Sequence, residues 1–362
     1  MQLVLLLACL FAARAYHAPY LGPRSHAASL APHSLAASRS LAPFRRNKVV
    51  THTRLWFEPV SGDNSVDLTS FKGEDAANFV LEQQDADKWK KFTAAVAVVL
   101  SFVFYVWIYN GGPQWGLQYK DYLENISNGD TTTVIVLMLS FFAFCHSGLA
   151  SLRPFAENII GARAWRVIFA LVSLPLAFSS IVYFINHRYD GIQLWDLRTD
   201  YPVHDIVWWT SLISFFFLYP STFNLLEIAA IEKPQLHLYE SGITRITRHP
   251  QMVGQLMWCF AHTLYIGTTF TIATSFMLCA HHLFAVWNGD RRLRDKFGEK
   301  ADIVFDRTSV VPFAAIISGK QQLPSDYYKE FIRLPYLTVL VGTIIAYYAH
   351  PFMQAGSTLL HW

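Results

Sequence analysis

Four histidines fall inside strongly apolar stretches of this 362-residue chain: His146, His262 and the adjacent His281 and His282. An imidazole in hydrocarbon is costly unless it is hydrogen-bonded or ligating, so histidines at membrane depth are candidates for function. At 1.5 Å per residue, His146 lies roughly 9 Å from the end of its apolar stretch and His262 roughly 15 Å from the start of its own, measured from the same side. Side-chain reach could close that difference. Two imidazoles on facing helices are one way for a bundle to hold b-type haem, with no CxxCH attachment needed, and none occurs here. Cys259 precedes His262 by three positions and shares its helix face, whereas Cys145 adjoins His146 and points elsewhere. A thiolate and an imidazole on one face would give iron two alternative axial partners. The same residues also have a plain structural reading, as histidines bonded between helices and as small buried thiols.

Other polar residues in the same stretches carry weaker signals. Asn224 and Glu227 share a face and could orient a ligand histidine or line a cavity; an interfacial pair fits equally. His187 and His204 flank a loop and read as solvated. Asn125-Ile126-Ser127 matches a glycosylation sequon. Phe141, Phe142, Phe215, Phe216 and Phe217 could line a long apolar slot, although rings of this kind mostly face lipid or core.

The elements that must position these residues are membrane helices. Apolar stretches run at about 92–109, 132–152, 164–186, 204–230, 252–267, 269–288 and 334–354, most near the ~20 residues a span requires. The expected fold class is all-α, a polytopic transmembrane bundle of six or seven spans. The weakest division is between the fifth and sixth, which only Gly267-Thr268-Thr269 separates. Trp107, Tyr109, Trp165, Trp208, Trp209, Tyr219, Trp287 and Tyr336 sit near span ends, as interfacial anchors do. With seven spans, at least fifteen Lys and Arg flank the side on which the first begins, against Lys120, Arg188 and Arg198 on the other. The positive-inside rule then places that basic side, called side one below, in the stroma of a plastid, given the leader described next.

The N-terminus reads as a bipartite leader, 1–55. Residues 1–15 carry a short apolar core ending in Ala-Arg-Ala, and the following stretch is rich in Ala, Ser, His and Arg without a single acid. Those are the compositions of a signal peptide and an organelle transit peptide, with Tyr16 at the place of the aromatic residue in the presequences of complex plastids. Residues 56–91 form an acidic polar linker, 92–355 the membrane domain and 356–362 a short tail. Seven of the 29 basic residues precede the first acid, Glu58, so the body is net acidic and nucleic-acid binding is excluded. At 53% hydrophobic and 15% charged residues the chain could not coat soluble domains of this size. Four cysteines without a CxxC pair exclude a zinc ribbon and a disulfide scaffold.

Longer motifs carry a family resemblance. His146-Ser-Gly-Leu-Ala-Ser-Leu-Arg153-Pro, running through Gly161-Ala-Arg-Ala-Trp-Arg166, resembles the NnrU family, and within it the plastid zeta-carotene isomerases. The blocks Gly242-Ile-Thr-Arg-Ile-Thr-Arg248-His249-Pro250, Met257-Trp-Cys259-Phe-Ala-His262 and Trp287-Asn-Gly-Asp290 through Phe297-Gly298 extend the likeness over about 92–355. The resemblance implies an integral plastid membrane enzyme that converts 9,15,9'-tri-cis-zeta-carotene to the 9,9'-di-cis isomer using ferrous haem b. It places the axial iron ligands on His146 and His262 and the alternative ligand on Cys259, and family histidines also coincide with His187, His249 and His281. The partners it implies are the carotene substrate, membrane lipid, an electron donor of unspecified identity and other enzymes of carotenoid synthesis. Two further readings use the same segments. Arg248-His249-Pro250 and Phe297-Gly298 also resemble membrane methyltransferases of the isoprenylcysteine type, but Gly289-Asp290 stands where those carry an acidic pair. A bis-histidine haem protein that only transfers electrons is the non-enzymatic reading.

Overall fold

The computed structural model describes residues 71–218, 224–360 and 362, so the leader, the first part of the linker and Tyr219 lie outside the described residues. Ten helices of eight or more residues are numbered here among the described residues. They are α1 (Ala86–Trp107), α2 (Trp115–Ile126), α3 (Thr131–Ala143), α4 (Arg153–Ile160), α5 (Ala162–His187), α6 (Tyr201–Leu218), α7 (Pro250–Ile266), α8 (Thr269–Phe297) and α9 (Glu299–Arg307). A final helix, α10, spans Leu334–Thr358. No strand forms among the described residues; Glu74 with Tyr239 and Gln193 with Thr268 make isolated bridges only. The fold is all-α.

Five helical rods are long and apolar enough to cross a bilayer: α1, the 30-residue rod Thr131–Ile160, α5, α8 and α10. The rod is α3 continued into α4 through a π-helical turn, Phe144–Gly148, and a tight turn, Leu149–Leu152. Where the fourth and fifth spans were expected, α6 and α7 are 18 and 17 residues long and pack against each other more extensively than any other pair of helices. The seven-span count thus becomes five long rods and this tight pair. Gly254 makes the pairing work: a Cβ there would stand 2.6 Å from the Ser214 carbonyl oxygen. Helix α8 packs between α3 and α7.

The largest apolar cluster joins α2, α3, α5, α7 and α8. Val134, Ile135 and Met138 of α3, Tyr183 of α5 and Phe270 of α8 are completely buried in one cluster. Large apolar side chains such as Phe102, Phe276 and Ile345 are exposed on the rods, the inverse of a soluble surface and the face that lipid covers.

On side one, loops and the linker are tied together. Asp85 caps α1 by accepting from the Asp87 amide. Upstream, Glu74 accepts from or pairs with His237 at 2.7 Å, Asp75 pairs with Arg333, and the Ala76 amide donates to Ser241 Oγ at 3.1 Å. The described part of the linker is therefore docked on the membrane domain. Hydropathy could not anticipate this, because the contacts join residues more than 160 positions apart.

Candidate functional site

His146 sits in the π-helical turn that interrupts the second rod. Such turns widen the ladder by one residue and re-aim side chains inward, which is why they recur at functional sites. Its ring meets Phe142 at 5.0 Å, Phe169 of α5 at 5.2 Å and His281 of α8 at 5.5 Å between centroids. Ser147, next in the turn, lies 2.6 Å from His281 Nε2. Two polar atoms in this nest have no partner: the Nδ1 atoms of His146 and His281 are both buried and unbonded. His282 stacks edge-on against His281 at 5.2 Å.

His262 and Cys259 lie on α7. The Nδ1 atom of His262 is 2.9 Å from the Trp258 carbonyl, and the ring stacks on the Trp258 indole at 3.8 Å. Donation to that carbonyl fixes the tautomer and leaves Nε2 as the nitrogen able to ligate, the usual arrangement of a metal-binding histidine. Cys259 is buried; its sulfur accepts from Gln255 Nε2 at 3.5 Å and faces Cys279 of α8.

His146 and His262 are not level, as the sequence arithmetic had them. Counted from the α7–α8 turn, His262 lies roughly 7 Å up α7 and His281, the neighbour of His146, roughly 18 Å up α8. The expectation measured each histidine from the end of its own apolar stretch, and those ends are staggered. Side chains lean toward the N-terminus of their own helix, so along the bundle axis His262 on the descending α7 leans toward side one and His146 on the ascending rod leans away from it. The ring neighbours of His146 are Phe142, Phe169 and His281, and that of His262 is Trp258.

The remaining motif residues do structural work. Arg248 and His249, just before α7, both grip Asp290 of α8: Arg248 Nη2 donates at 2.9 Å and His249 Nε2 lies 2.7 Å away. Arg248 also donates to the Thr308 carbonyl at 3.2 Å. This clamp locks the side-one ends of α7 and α8, and it occupies the carboxylate on which a methyltransferase-like cofactor site would depend. Glu227 accepts from the Gln235 amide and pairs with His237 at 3.0 Å, while Asn224 donates to the Tyr239 hydroxyl at 2.6 Å. Neither reaches a candidate ligand histidine; both pin the 233–240 loop. His187 pairs with Asp190 at 2.8 Å and stacks on Tyr183 at 4.1 Å, and His204 is half exposed beside Asp205. Sequence spacing gave no hint of His281 as the neighbour of His146, because the two lie 135 positions apart.

Two ring nitrogens, one each on His146 and His262, are available to a ligand. His262 offers a free Nε2 held in place by a backbone bond, and His146 carries a buried nitrogen with nothing bound to it. A buried imidazole without a partner is rare enough to require an account.

An apolar multi-span bundle with histidines nested at depth defines a class: integral membrane proteins of the NnrU type. The NnrU profile, described as NnrU protein, matches residues 134–356, and the chain belongs to this family. It is 52% identical over 323 residues to the chloroplastic 15-cis-zeta-carotene isomerase of Arabidopsis thaliana, covering 89% of this chain and 88% of the relative. It is 52% identical over 302 residues to the enzyme of the same name in Zea mays, covering 83% of this chain and 82% of that one. No solved structure matches the chain.

Proposed function

We propose that this protein is a cis–trans isomerase of plastid membranes that converts 9,15,9'-tri-cis-zeta-carotene to 9,9'-di-cis-zeta-carotene. The observation that carries this reading is 52% identity, over nearly the full length of both chains, to two 15-cis-zeta-carotene isomerases. The exposed apolar rods supply what a lipid-dissolved polyene requires, an enzyme that meets its substrate inside the bilayer. Side one, with its basic loops, faces the stroma in this reading.

Haem b, held by His146 and His262, is the cofactor of the proposal, with Cys259 as the alternative ligand. In its ferrous form such a group would supply the chemistry that lowers the double-bond order of the polyene and so eases rotation about it. The chain's part is positional. The Trp258 carbonyl and indole fix the His262 ring. Phe142, Phe169 and His281 confine the His146 ring. Gln255, one turn before Cys259 on α7, donates to the Cys259 sulfur at 3.5 Å and so orients it.

The test is isomerisation by the purified protein in detergent or liposomes. Tri-cis-zeta-carotene is supplied anaerobically with and without dithionite, and products are separated by chromatography. Di-cis product that forms only under reduction supports the proposal. A spectral redox change without turnover would instead favour an electron carrier.

A further inference from the structure

Three guanidinium groups lie within electrostatic reach of one another at the side-one end of the rods, and two of them make no ion pair among the described residues. Arg153 of α4 pairs with Glu157 and reaches the Pro234 carbonyl at 3.4 Å. Arg166 of α5 and Arg292 of α8 make no hydrogen bond or ion pair among the described residues, although both are half-buried, and Arg292 Nε is fully buried without a partner. The three are mutual electrostatic neighbours: Arg292 feels the charges of Arg153 and Arg166, and Arg166 that of Arg153. The nearby carboxylates are already engaged, Glu157 by Arg153 and Glu227 by His237 and the Gln235 amide. Like charges gathered in a partly desolvated place, with a buried donor left open, are stabilised by an anion beside them.

Their placement relates them to His146. Phe169, in ring contact with His146, lies three residues after Arg166 on α5, so both occupy one face and Arg166 stands one turn toward side one. The Arg166 charge indeed acts on His146. On α8, Arg292 follows His281 by three helical turns and therefore shares the face that His281 turns to His146. Arg153 lies roughly 10 Å beyond His146 along the second rod. From the unpartnered imidazole a polar stripe thus leads outward to unpartnered guanidinium groups at the membrane edge.

We propose that Arg166 and Arg292, backed by Arg153, form an anion site for the two carboxylates of the porphyrin whose iron His146 ligates. Guanidinium forks suit carboxylates, and charge-assisted bonds of this kind are about twice as strong as neutral ones. The macrocycle would then point its acidic edge toward side one and keep its apolar edge among the aromatic rings. This inference rests on the haem reading above. The phosphate of an anionic lipid headgroup is the other oxyanion these forks could hold, and the test separates the two.

Apo-protein in nanodiscs of neutral phosphatidylcholine is titrated with haem and with haem dimethyl ester, whose carboxylates are masked, and binding is read from Soret absorbance. Wild type should bind haem at least about tenfold more tightly than the ester. That preference should vanish in Arg166→Gln/Arg292→Gln and persist in Arg166→Lys/Arg292→Lys, each confirmed as monodisperse by size-exclusion chromatography. Equal binding of haem and ester by wild type overturns the carboxylate site while leaving the haem reading intact. So does an unchanged preference in the glutamine variant. Loss in that variant of a thermal shift caused by phosphatidylglycerol, with haem preference unaltered, assigns the site to lipid and also overturns the proposal. Absence of any Soret band in wild type defeats the haem reading itself.

Discussion

The Asp290 clamp offers a sharp test of how the motif residues work. Asp290→Asn keeps the side-chain shape but removes the charge that Arg248 and His249 share at 2.9 Å and 2.7 Å. Each charge-assisted bond is worth roughly 1.5–3 kcal/mol, and breaking a fully buried pair costs about 3–5 kcal/mol. The three side chains are 13–17% exposed, so solvent offsets part of the loss. Arg248 also keeps its bond to the Thr308 carbonyl. The expected cost is therefore roughly 2–4 kcal/mol. Thermal unfolding in detergent, followed by tryptophan fluorescence, should show a lowered midpoint, read as an apparent value at one scan rate because membrane proteins often unfold irreversibly. A double-mutant cycle of Arg248→Ala and Asp290→Ala should show coupling of about 1 kcal/mol or more, since each single change already breaks the shared contact. Additive losses, or an Asp290→Asn protein that melts with wild type, would refute the clamp.

Three further outcomes follow from the geometry. His237 lies between Glu74 and Glu227; burial opposes its charged form, but the two carboxylates prevail and raise its pKa above the usual 6.5. The stabilisation is therefore complete below about pH 6.5 and is lost as pH rises through the elevated value, so limited proteolysis near residues 71–80 should quicken on the alkaline side and lose its pH dependence in His237→Gln. Gly254→Ala would press a methyl group against the Ser214 carbonyl at 2.6 Å and the Leu218 amide at 2.9 Å. It should destabilise the protein by about 1–3 kcal/mol, and a melting curve matching wild type would show that α6 and α7 can part without strain. Ser147→Ala removes the 2.6 Å contact to His281 and should cost about 1 kcal/mol in the same melts, whereas Ser140→Ala, on an exposed stretch, should cost little.

How far the sequence could be read depends on the range of the interaction. Span positions follow from local hydropathy, so α1, α5, α8 and α10 lie where the apolar stretches put them. The stretch expected to end near 152 runs on to Ile160, because Arg153 and Glu157 pair along the rod and satisfy each other's charge. Helix α2 was not anticipated: its charges hid a half-apolar face, and Lys120 is buried only because Asp121 and Glu124 neutralise it. His146 and His262 stood out as costly side chains in apolar runs, yet their neighbours Phe169, His281 and Trp258 could not be ranked without knowing which helices touch. The Arg248–His249–Asp290 clamp was visible only as a motif. Its meaning lay in a contact across more than 40 positions, which spacing on one helix does not reveal.

The account turns on His146 and His262 holding the group that isomerises the polyene. The most direct measurement pairs haem content, from the pyridine haemochrome spectrum, with anaerobic turnover of tri-cis-zeta-carotene in wild type, His146→Ala and His262→Ala proteins of equal monodispersity. The account predicts a Soret band and dithionite-dependent turnover in wild type, with both lost or sharply reduced in each variant. Colourless variants that isomerise at the wild-type rate would contradict it.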